Sequence, residues 1–80
     1  MKYPIDHYEG REIERVCYAS DLNRAKAIEK ILDASPFDYT LDLEKSASLV
    51  TGLGGAFYVA PVHAQAVKRL LVEKGFEEGI

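Results

Sequence analysis

The sequence predicts a small α+β domain in which two amphipathic helices cover one face of an antiparallel sheet. Three observations lead there. Apolar residues recur at helical spacing in two separate stretches, they alternate at period two across Phe37–Glu44, and the chain's 80 residues suffice for one domain at most. A chain of this length buries roughly 60–68% of the surface its unfolded form exposes, so it folds alone with little stability to spare.

Residues 1–11, with Pro4, Gly10 and no sustained period, read as a flexible N-terminal arm with a short extended piece around Tyr3–Ile5; residues 12–80 form the single domain. "IERVCYA", Ile13 to Ala19, is short and β-rich, as a strand is. The period then changes. Leu22, Ala25, Ile28 and Leu32 form the stripe of a helix that Ser20 or Asp21 can cap and Pro36 stops.

"FDYTLDLE" sets Phe37, Tyr39, Leu41 and Leu43 against Asp38, Thr40, Asp42 and Glu44, a strand buried on one face and wet on the other. A linker from Lys45 to Gly54 leads to "GAFYVA", a strand apolar on both faces. Pro61 suits the first turn of a second helix with the stripe His63, Val67, Leu70 and Leu71. Gly75 followed by Phe76 reads as a Schellman stop, and "FEEGI" is at best a short final strand. The order β-α-β-β-α is that of the split βαβ, or ferredoxin-like, arrangement, in which the first and third strands lie centrally and the second at an edge.

Composition narrows the function. A net charge of −3 with scattered Lys and Arg argues against electrostatic capture of nucleic acid or an anionic membrane. The single cysteine, Cys17, cannot close an intramolecular disulfide, so a cytoplasmic setting is expected. No apolar run reaches the ~18 residues of a membrane span, and the N-terminus has no signal-peptide core.

The glycines of "TGLGGAFYVAP" precede a strand, whereas a dinucleotide cradle needs them after a strand and opening a helix. They read instead as a hinge where φ can be positive. The linker is about twice the usual two to five residues of a hairpin connection. It carries Leu49, Val50 and Leu53 beside Gly54. These four are a candidate partner loop, either packed on the sheet edge or closing on a ligand.

No catalytic, metal or cofactor residue is assigned, and no enzyme is expected. His7 and His63 have no ligand partner at helical spacing, and Cys17 mid-strand reads as a buried thiol. Ser46 and Ser48 lack an associated His–Asp set. Asp38 and Asp42 keep an edge strand soluble. Val16, Tyr18, Ala56 and Tyr58 are expected on the sheet face without helices, an apolar patch that points to a homo-oligomer. Tyr18 and Tyr58 there could instead stack RNA bases, as "CYASDL" resembles the first-strand motif of the RNA recognition motif. Against this, Asp38 and Asp42 place negative charge on the same face. A third option is an enzyme or small-ligand binder using the linker and Asp42.

"RVCYASDLNRAKAIEKILDASPFDYTL" followed by "FYVAPVHAQAVKRLLVEKGF" resembles a family of small prokaryotic signal-transducing proteins related in fold to the PII proteins. Val16 and Tyr18, then Ala25, Ile28 and Leu32, hold that family's places over about residues 14 to 74. Val62, His63 and Arg24 stand where the family usually carries acidic residues. The resemblance implies a ferredoxin-like fold and a regulatory role toward a protein or small-molecule effector. Its long loop between the second and third strands, which contacts partners in PII proteins, corresponds to Lys45–Gly54.

Overall fold

A computed structural model describes residues 1–45 and 53–77. The elements run β1 (Glu14–Ala19), α1 (Leu22–Asp33), β2 (Thr40–Lys45), β3 (Leu53–Val59) and α2 (Pro61–Glu73), after a 3-10 turn at Ile5–Tyr8. This is an α+β fold with an open, antiparallel, three-stranded sheet in the order β1-β3-β2. The helices pack on one face. Ala25, Ile28 and Leu32 of α1 and Ala64, Val67 and Leu71 of α2 meet Cys17, Ala19, Phe57 and Val59 in a core closed to solvent.

Local chemistry sets the helix ends. Asp21 caps α1, its carboxylate accepting from the Arg24 N–H at 2.7 Å. At the far end the Ser35 hydroxyl donates to the Leu32 carbonyl and accepts from the Phe37 N–H. α2 begins with Pro61 at its first position, where the missing N–H costs nothing. It closes in a Schellman motif, with Gly75 at φ 89° and the Phe76 N–H donating to the Leu71 carbonyl at 2.9 Å. Phe76 folds back on the core, and the Arg24 guanidinium lies 5.1 Å from the centre of its ring.

Several expectations need correction. β1 lies at an edge of the described sheet rather than centrally; Phe76 and Glu77 form no strand, and the rest of "FEEGI" lies outside the described residues. Leu53, Gly54 and Gly55 belong to β3, not to a linker or a hinge, while Leu49 and Val50 lie outside the described residues. Leu22 and His63 are exposed, and Ala64 takes the place in the α2 stripe expected for His63.

The arm is placed against the sheet. Tyr3 N–H donates to the Tyr39 carbonyl at 2.8 Å and Tyr39 N–H to the Met1 carbonyl at 3.1 Å, so Met1–Tyr3 lie along the outer side of the β2 chain. Lys2 pairs with Glu29 of α1 at 2.8 Å. Residues 4–13 then span from that edge to β1 at the other. On the way the 3-10 turn meets β2, and Tyr8 is buried.

Tyr39 is the largest fully buried side chain, and its hydroxyl donates to Asp33 at 2.7 Å. Tyr39→Phe is expected to cost about 1 kcal/mol, read as a lower urea midpoint. Burial first, then the Asp33 carboxylate, raises the pKa of this phenol. Burial also raises Tyr8 and Cys17. The folded chain thus holds these protons more tightly than the unfolded chain does. Their contribution is intact below the ordinary values of 9.0 for the thiol and 10.0 for the phenols, and is lost as pH rises beyond them. The urea midpoint should therefore hold steady up to about pH 9 and fall above it, less steeply in Tyr39→Phe.

Candidate functional site

The sheet face without helices is fixed by strand register. Tyr18 stands opposite Ala56, which stands opposite Asp42; in the next row Arg15, Tyr58 and Thr40 align. Cross-strand partners share a face. Tyr18, Ala56 and Tyr58 therefore lie together, as the sequence suggests. Ala56 is only 2% exposed, while the flanking Tyr18 and Tyr58 are half-buried.

Val16 does not join them. The register shifts between Arg15 and Cys17, a bulge at Val16 that interrupts the alternation and turns its side chain into the core at 1% exposure. Strict period-two reading therefore assigns this residue to the wrong face.

The two tyrosines do not form a stacked pair. A Cβ added at Gly54 would lie 2.6 Å from the Tyr18 hydroxyl oxygen, so Tyr18 leans along β3 toward Gly54 and away from Tyr58. The role of Gly54 follows: it leaves room for this phenol and for the Ala19 carbonyl, 2.7 Å from the same point. The lower part of the face is closed off. Thr40 is fully buried, and the phenol of Tyr8 is close enough to Asp38, two residues before Thr40, for the carboxylate to raise its pKa, after the larger effect of burial.

The other expected residues stay apart from this face. Cys17 is buried, and its thiol is pushed up chiefly by burial, which opposes formation of a reactive thiolate. The His63 ring sits 5.5 Å from Phe37 on the helical side, and His7 stacks on Tyr3 at 4.1 Å in the arm. Among the described residues no group of three or more His, Cys, Asp or Glu could hold a metal ion, and no helix is long and apolar enough to cross a membrane. Ser46 and Ser48 lie outside the described residues.

A groove on the helical side escaped sequence reasoning. Between the C-terminal ends of α1 and α2 lies a groove of about 600 Å³ lined by Ile31, Ala34, Phe37 and Leu70, with Lys30 and Lys74 as its charged residues. Pro36 and Ser35 line it as well. The signal was present in outline. Ile31 and Leu70 are apolar residues beside the buried stripes of their helices, left half-exposed when the stripes face the sheet. Comparison with family models, with curated proteins and with solved structures gives no match.

Proposed function

We propose that the chain is a non-catalytic regulatory or protein-interaction domain that associates with a second copy of itself through the face carrying Tyr18, Ala56 and Tyr58. The observation that carries this reading is the make-up of that face: a closed apolar floor at Ala56 between two half-exposed tyrosines. Tyrosine presents a large apolar surface with a polar tip at low entropic cost, the chemistry of an interface centre. A two-fold contact would set Tyr58 of one copy against the floor of the other.

The ferredoxin-like reading belongs to the same proposal. The order β1-α1-β2-β3-α2 with β3 central agrees with it, and a further strand, from this chain or another, would pair with β1 on the side away from β3. A signal-transducing role and a cytoplasmic setting rest on the family resemblance and on the unpaired, buried Cys17.

RNA stacked on the same tyrosines is the alternative. Asp42 beside Ala56 works against it, because a carboxylate repels phosphate, and so does the lean of Tyr18, which parts the two rings.

Sedimentation equilibrium on wild type and Tyr58→Glu tests the proposal. The expected result is a concentration-dependent dimer in the wild type and a monomer in the variant, whose circular dichroism stays folded. A wild type that remains monomeric at every concentration refutes self-association, and an oligonucleotide titration of Tyr18→Ala then decides the RNA reading.

A further inference from the structure

We infer that the groove between the C-terminal ends of α1 and α2 is a binding site for a small amphipathic carboxylate, an apolar body ending in one acid group. It lies on the helical side of the molecule and does not depend on the sheet-face contact. Its size falls within the range of small-molecule sites, about 300–1,000 Å³. Ile31, Ala34, Phe37 and Leu70 give it an apolar wall. The polar chemistry left to recognise a ligand is of one sign. Lys30 and Lys74 are the charged side chains among its described lining residues, none of which is a carboxylate, and the chain as a whole carries −3. Neither lysine is in a salt bridge with another described residue. The Ser35 hydroxyl is already engaged by the Leu32 carbonyl and the Phe37 N–H.

Lysines near helix C-termini also balance the helix dipole. That accounts for the charges and not for the apolar concavity between them. An ammonium group on a long stem reaches an acid as a point charge while its methylenes lie along an apolar ligand. A ligand with an apolar chain and a single acid group satisfies both parts of the groove.

Decanoate is the probe, with decanol and acetate as controls, followed by calorimetry and by amide shifts in nuclear magnetic resonance spectra. Saturable binding of decanoate is expected with Kd on the order of 100 μM, with the largest shifts at Ile31, Ala34, Phe37 and Leu70. Decanol should bind several-fold more weakly, and acetate not measurably. The double variant Lys30→Gln, Lys74→Gln should lose about tenfold in affinity. Ala34 is exposed, so Ala34→Phe should fill the groove without disturbing the core and abolish binding. Tyr58→Glu should bind decanoate as the wild type does, which separates this site from the sheet face. Absence of saturable binding, shifts located elsewhere, or an affinity unchanged by Ala34→Phe would overturn the site. Equal affinity for decanol and decanoate, with no effect of the lysine changes, would overturn the acid.

Discussion

Phe57→Ala is expected to remove a large share of the chain's stability, about 3–5 kcal/mol, seen as a much lower urea midpoint. Phe57 is fully buried on the central strand, faces Cys17 on one side and Leu41 on the other, and its ring centre lies 6.0 Å from that of Tyr39. Removing a buried phenyl ring costs about 3–5 kcal/mol, part lost transfer energy and part the cavity left behind. A domain of this length has only about 4–12 kcal/mol in all, at 0.05–0.15 kcal/mol per residue. Relaxation cannot recover much of the loss, because strands on both sides hold the backbone of β3 in register. Urea denaturation followed by circular dichroism reads the result. A midpoint close to that of the wild type would mean that the core does not centre on β3.

Gly54→Ala should destabilise the fold by about 1–3 kcal/mol. The new Cβ would meet the Tyr18 hydroxyl oxygen at 2.6 Å and the Ala19 carbonyl oxygen at 2.7 Å. These obstacles differ in kind. The phenol is the far end of a side chain and can swing aside, whereas the carbonyl belongs to the paired backbone of β1. Combining Gly54→Ala with Tyr18→Ala should therefore recover only a small part of the loss. Full recovery would make the phenol the whole obstacle, and unchanged stability in Gly54→Ala alone would remove the close approach. Both are read from urea midpoints.

What the sequence made legible was what local chemistry decides. The Asp21 cap and the Schellman close at Gly75 and Phe76 appear where spacing and residue type put them, and Tyr39 is buried as the alternation predicts, whereas Thr40, expected on the wet face, is fully buried. The open-face trio Tyr18, Ala56 and Tyr58 was legible because period two holds along β3 and the end of β1. Val16 was not, since one extra residue in a strand leaves no mark in residue type. Gly54 was misread because a glycine reports only that a side chain is unwelcome, not whether a turn or a neighbour forbids it. The groove beside Phe37 was hidden for another reason: it forms only where the ends of two helices far apart in sequence come together.

The position of β3 between two earlier strands also governs when this protein can fold during its own synthesis. β1 and β2 are translated first, yet neither pairs with the other, and both wait for residues 53–59. Until those residues leave the ribosome, the nascent chain holds one helix and two strands that lack the partner they share. Sheet assembly is then a late step, with β2 and β3 near neighbours in sequence and Glu14 reaching across to Val59 over a much longer loop. A chain stalled before β3 would present Val16, Cys17 and Tyr39 to chaperones and proteases, so quality control has its opening before translation ends.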